Sequence, residues 1–151
     1  MRGVRKTRTE EIPGLIKRLT NKYRTSEPYG LSECLNVTIL NLDLGERVCG
    51  YYKYLKRRKY IFINSNIEND DFRKVIISHE LGHAVMHKNE NCTFMRSHTL
   101  LLTSKVERQA NMFAAYLLIS DDMLHGYAGC TQDQFCTCTG YPKELIELRL
   151  R

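Results

Sequence analysis

The sequence predicts an α+β fold, and two observations carry that prediction: a switch in the spacing of apolar residues, and a length that suits one domain. Apolar residues recur every three or four positions in residues 12–23, mostly alternate between residues 35 and 64, and return to helical spacing from residue 69 onward. This implies an N-terminal helix, a small antiparallel three-stranded sheet, and then a series of helices. The 151 residues suit a single domain, 1–151, able to bury roughly two thirds of the surface its unfolded chain exposes.

Ile12, Leu15, Ile16, Leu19 and Tyr23 line one face of the first helix, and Pro13 is tolerated because it falls in the first turn. Thr25-Ser26-Glu27-Pro28-Tyr29-Gly30 reads as a break. Residues 35–42 read as a half-buried strand, and Leu44-Gly45-Glu46-Arg47 turns the chain into residues 48–55, where Tyr51, Tyr52 and Tyr54 favour a pleated surface. Lys56-Arg57-Arg58-Lys59 leads into a third strand, 60–64, and the short links predict an antiparallel meander. Asn69-Asp70-Asp71 then supplies N-cap and acidic first-turn residues for a helix ending near His87, with Phe72, Val75, Ile76, His79, His83 and Met86 on one stripe. After a polar stretch, 88–99, a second helix covers 104–119. Shorter elements at 121–129, 131–138 and 142–150 complete the chain, the last opened by its proline.

Twenty-three Lys and Arg against 17 Asp and Glu give a net charge of +6, and the 42 % hydrophobic and 26 % charged content argues against disorder. The basic run 53–59, set among Tyr51, Tyr52, Tyr54 and Tyr60, resembles a nucleic-acid face. A solvated hairpin turn, its cations discouraging edge-to-edge pairing, is the simpler account, so direct nucleic-acid binding is a secondary expectation. The longest apolar-rich segment, 112–119, is far short of the 18 residues of a spanning helix, which excludes a transmembrane role. Residues 1–11 run from basic to acidic with no signal-peptide core, so a cytoplasmic protein with reduced thiols is expected.

The chemistry-bearing segment is His79-Glu80-Leu81-Gly82-His83, inside the helix that starts after Asn69. Two histidines four residues apart share a face about 6 Å apart along the axis, so both imidazoles can address one ion while the glutamate lies beside them. A catalytic zinc takes three protein ligands and keeps a fourth position for water, whose pKa it lowers toward neutrality. Glu80 can take a proton from that water and deliver it to a leaving amine. With 5 His and 11 Glu in the chain, a shuffled sequence yields this pattern about once in a hundred trials. Its place on an amphipathic helix strengthens it.

The helix does not complete the site by itself. His87 lies about 12 Å along the axis from His79, and Met86 and Asn89 stand where the longer His-Glu-x-x-His-x-x-Gly-x-x-His signature needs Gly and His. On the second helix Glu107, Ala110, Asn111, Ala114 and Leu118 share a face whose alanines permit close packing. Glu107 could thus reach the metal, or serve a Ser104-x-x-Glu107 capping box instead. Asp121, Asp122, His98 and His125 are the alternative ligands if capping prevails.

Asn64, the Ile77-Ser78-His79-Glu80-Leu81-Gly82-His83 segment with His87, and Glu107-x-x-Ala110-Asn111-x-Phe113-Ala114-x-x-Leu117-Leu118 together resemble the ImmA/IrrE family of zinc metallo-endopeptidases. The strand ending Ile61-Phe62-Ile63-Asn64 and the closing Gly140-Tyr141-Pro142-x-x-Leu145-x-x-Leu148-Arg149-Leu150 extend the likeness from about Leu15 onward. The resemblance implies a minimal zincin holding one Zn2+ through His79, His83 and Glu107, with Glu80 as general base. Asn111 stands where related zincins orient a metal-bound histidine, with a plain packing hydrogen bond as the alternative. It further implies a chain encoded by a phage or mobile element that cleaves a helix-turn-helix repressor. No oxyanion donor is identified by it; Tyr116, His98, His125 and Tyr127 can donate, though each also has a structural reading.

Two other readings remain. A regulatory protein on the same scaffold could bind and sequester a transcriptional regulator without turnover, although the intact Glu80 favours an enzyme. Of the six cysteines, Cys34, Cys49, Cys92, Cys130, Cys136 and Cys138, the last three lie near His125, but their spacing lacks the paired pattern of a structural zinc site.

Overall fold

The computed structural model describes residues 5–95 and 104–151. A 3₁₀ turn, Thr9–Glu11, leads into α1 (Ile12–Tyr23), which ends where Arg24 adopts a left-handed conformation. Next come α2 (Pro28–Cys34), β1 (Val37–Leu42), β2 (Val48–Leu55), β3 (Arg58–Asn64) and α3 (Asp70–Met86). They are followed by β4 (Cys92–Met95), α4 (Lys105–Leu118), α5 (Asp121–Gly126), α6 (Gln132–Thr139) and α7 (Lys143–Arg149). The α+β class expected from the sequence is what the chain adopts.

The sheet differs from the expected three-stranded antiparallel meander. It has four strands in the order β1-β3-β2-β4. β2 and β3 form the expected hairpin, with Tyr52 opposite Ile61, but β1 pairs with β3 and runs parallel to it, with Ile39 opposite Ile61. The link from β1 to β2 therefore crosses the end of β3, and the buried Asn64 holds it there. Its amide donates to the carbonyls of Gly45 (2.7 Å) and Val48 (2.8 Å), and its oxygen accepts from the backbone N–H of Leu44 and Asn66. A single side chain thus makes three hydrogen bonds to the crossover and the start of β2, which helps a short loop to make it.

Two further elements were not expected. α2 replaces the break read at residues 25–30: Pro28 occupies its first position, and the Glu27 carboxylate accepts from the N–H groups of Tyr29 and Gly30. β4 pairs antiparallel with β2, setting Cys92 opposite Tyr52 and Thr93 opposite Tyr51. The basic run forms the β2–β3 turn, where Lys56 and Arg57 both have positive φ, as a two-residue hairpin of the I′ kind requires.

One face of the sheet supports the helices. Tyr52, Ile61 and Ile63 point into the core, while Tyr51 stacks on Phe62 at 4.6 Å on the opposite face. α3 lies on the sheet with residues Val75 to Ala84 all buried. α4 packs on α3 through Ala110, Ala114 and Ala115, and the approach is close at Gly82: a Cβ there would lie 3.0 Å from Phe113 Cβ and 3.3 Å from Ala110 Cα. α1 and α2 cover one end of this pair with Ile12, Ile16 and Leu31, and α6 and α7 cover the other with Phe135, Leu145 and Ile146.

Candidate metal centre

α3 begins where Asn69 caps it, its Oδ1 accepting from the Phe72 N–H at 2.9 Å, with Asp70 and Asp71 favourably placed in the first turn. The 3.6-residue repeat then sets His79 and His83 on adjacent turns facing α4, their Nε2 atoms 3.1 Å apart. α4 starts at Ser104, whose hydroxyl accepts from the Glu107 N–H, so half of the expected capping box is present. The Glu107 carboxylate goes to the histidines, with Oε2 3.0 Å from His79 Nε2 and Oε1 2.9 Å from His83 Nε2. Among the described residues these three form a cluster of metal-ligating side chains.

Each imidazole is held from behind. His79 Nδ1 donates to Asn111 Oδ1 at 2.6 Å, one turn beyond Glu107 on α4. His83 Nδ1 lies 3.1 Å from His87 Nδ1, and His87 Nε2 lies 2.8 Å from Gln109 Oε1. Phe94 of β4 meets the His79 ring edge to face at 4.9 Å. Both histidines are almost wholly buried, whereas the Glu107 side chain is 18 % exposed, so the cluster opens to solvent on the Glu107 side.

Neither Glu80 oxygen has a hydrogen-bond partner among the described residues. Burial, with repulsion from Glu107 second, raises its pKa well above the ordinary carboxylate range. Glu107 goes the other way: burial opposes its ionisation, but hydrogen bonds and charge from His79 and His83 outweigh that and hold it well below the usual range. Cys92, carried in by β4, has its thiol pushed up to about 12 by burial and then by the charges of Glu107 and Glu80.

The donor set suits a divalent ion. Once His79 commits its Nδ1 proton to Asn111, its Nε2 presents a lone pair, and that lone pair, His83 Nε2 and a carboxylate converge at 2.9–3.1 Å. Electron-rich atoms so close repel one another unless a proton or a cation lies between them. Four tetrahedral ligands at about 2.0–2.1 Å stand about 3.3 Å apart, close to the spacing seen, and two imidazoles with one carboxylate is a combination used by catalytic zinc.

The other sequence candidates lie elsewhere or have other partners. Asp121 accepts from Arg149, while Asp122 and His125 are exposed on α5. Tyr116 lies under the Arg149 guanidinium at 4.3 Å, and Tyr127 packs edge-on against Phe135. Cys130 and Cys138 are exposed and Cys136 is partly buried, all as free thiols. His98 lies outside the described residues. His87 is legible in the sequence as a continuation of the histidine stripe, whereas its link to Gln109 is not. The available signal was the four-residue step from His83 to His87, which repeats the step from His79 to His83.

Residues 32–134 match the peptidase M78 family, described as the IrrE N-terminal-like domain. Over 140 residues the chain is 41 % identical to "Uncharacterized immunity region protein 2" of Bacillus phage phi105, covering 91 % of this chain and 88 % of that one. Over 141 residues it is 30 % identical to "Metallopeptidase ImmA" of Bacillus subtilis (strain 168), covering 89 % and 81 %. The family match runs from within α2 into α6 and takes in both helices that build the cluster, so the chain belongs to the ImmA/IrrE family of metallopeptidases.

Proposed function

We propose that the chain is a zinc-dependent endopeptidase, encoded by a phage or mobile element, that cleaves a helix-turn-helix repressor. The observation that carries this reading is the convergence of His79, His83 and Glu107 beside a buried carboxylate, Glu80, that has no partner among the described residues. A binding scaffold gains nothing from such a carboxylate, whose burial is costly. The immunity-region name of the phage relative and the metallopeptidase name of the bacterial one support a protein target within a regulatory circuit.

His79 and His83 would hold zinc through Nε2 and Glu107 through its carboxylate. Bound there, zinc supplies Lewis-acid polarisation of the scissile carbonyl and of a water molecule. Asn111 fixes the His79 ring with its lone pair inward. Glu80, its proton affinity raised by burial, accepts the proton of the attacking water and passes it to the departing amine nitrogen. The exposed edge of Glu107 marks the side from which substrate approaches.

Metal analysis and a cleavage assay on the cognate repressor test the reading, using the native chain and Glu80→Gln. One zinc per chain is expected in both. Cleavage by the variant should fall by at least about 100-fold, the lower end of a general-base contribution. Equal cleavage by both, with zinc bound, would remove Glu80 as the general base, and an intact repressor with both, zinc again bound, would leave sequestration as the function.

A further inference from the structure

We propose that His87 and Gln109 are positioning residues for the metal ligand His83, and that the segment ahead of α1 anchors them; this rests on the metal reading above. A neutral imidazole offers Nε2 to a metal only when its proton sits on Nδ1. For His79 the oxygen of Asn111 secures this. The corresponding partner of His83 is another imidazole, His87, which could donate or accept.

Gln109 removes the ambiguity. Its amide nitrogen lies 3.0 Å from the Thr7 carbonyl oxygen and 3.3 Å from Thr9 Oγ1, and its amide oxygen 2.8 Å from His87 Nε2. A backbone carbonyl only accepts, so the Gln109 nitrogen must face Thr7 and its oxygen must face His87. That oxygen accepts in turn, which places the single proton of a neutral His87 on Nε2 and leaves its Nδ1 bare. His87 Nδ1 then accepts from His83 Nδ1–H, and the His83 Nε2 lone pair points into the cluster. The direction of every link follows from the carbonyl at Thr7.

Gln109 is 3 % exposed, and an amide is buried at a cost unless its groups are satisfied. Here both ends are satisfied, one on the metal helix and one on the segment about a hundred residues earlier in the chain. A plain tie between the N-terminal segment and α4 would explain the Thr7 contact. It would not require the oxygen to meet His87, nor would it link His87 to the one ligand ring that Asn111 does not serve.

The test combines histidine-ring nitrogen NMR of the native chain with zinc affinities, from chelator competition, of native, His87→Phe, Gln109→Met and His87→Gln. The expected spectrum shows His87 protonated at Nε2 and bare at Nδ1. The expected affinities are 10–100-fold weaker in His87→Phe and Gln109→Met, the usual cost of losing a support behind a ligand, and within about threefold of native in His87→Gln, whose amide oxygen can still accept from His83. A His87 proton on Nδ1, or equal affinity in all four proteins, overturns the proposal. Should the two disruptive variants fail to fold, the native spectrum decides. A native chain that binds no zinc overturns the metal reading, and its metal-free spectrum still locates the His87 proton, so the two failures are told apart.

Discussion

Glu80 occupies the middle of a helix turn that is buried on all sides, where an ionised carboxylate loses its hydration and gains only repulsion from Glu107. In the metal-free protein its folded pKa therefore lies above the ordinary 4.5. Above pH 4.5 the unfolded chain gives up a proton that the folded chain keeps. Stability then falls as pH rises, by up to about 1.4 kcal/mol per pH unit, until Glu80 ionises in the folded state. Glu107 has the opposite sign: its contribution is present above the unfolded value and is lost as pH drops toward its depressed folded pKa. Urea unfolding with chelator present, between pH 5 and 7, should show a declining stability for the native chain and a flatter profile for Glu80→Gln. Parallel profiles would mean that Glu80 is not the group responsible. His79 and His83 were legible in sequence because helix geometry turns a four-residue spacing into a shared face, and Glu80 came with them as the glutamate of the same motif. The fit of Glu107 depended on how two helices meet, which spacing leaves open, and the role of Gln109 depended on a backbone carbonyl about a hundred residues away.

At the level of elements, the site depends on how closely α3 and α4 approach. Gly82 lies between the two cluster histidines in sequence, and a methyl group there would press on Phe113 Cβ and Cγ at 3.0–3.1 Å and on the α4 backbone at Ala110. Side-chain adjustment cannot relieve the Ala110 contact, so α4 has to shift and carry Glu107 with it. Gly82→Ala should cost about 1–3 kcal/mol in chemical denaturation of the metal-free protein, the usual range for overpacking. It should also weaken zinc binding although no ligand has changed. A variant with lost stability and native zinc affinity would show that Glu107 does not depend on this contact. The long helices were readable because each carries a cap and a sustained stripe, as Asn69 and Ser104 do here. α2 was not, because Pro28 and Gly30 within seven residues signal a turn as readily as a short capped helix. β4 has four residues and gains its strand character from pairing with β2, and β1 lies parallel to β3 through a pairing that no pattern within β1 announces.

For the whole molecule, the cluster and the side chains behind it add polar links to the packing between α3, α4 and the segment before α1. His79 and His83 sit on α3 and Glu107 on α4, two helices that each contribute to both core clusters, and Gln109 reaches the segment before α1. An ion held by α3 and α4 together binds the folded chain and not the unfolded one, so its binding free energy adds to folding stability. With free zinc at about 100 times its dissociation constant, the gain is about 2.7 kcal/mol. In a chain of this length each kcal/mol moves the melting temperature by roughly 2–4 °C, so loading should raise it by roughly 5–10 °C and a chelator should reverse the shift. Differential scanning calorimetry of native and His79→Ala chains checks this. The native midpoint should rise with zinc as one transition, because α3 and α4 each contribute to both core clusters, while the variant's midpoint should stay within about 2 °C of its zinc-free value. A zinc-induced shift that persists in His79→Ala would place the ion elsewhere in the molecule. A native transition that splits in two on loading would mean that the ion stabilises α3 and α4 apart from the rest of the fold.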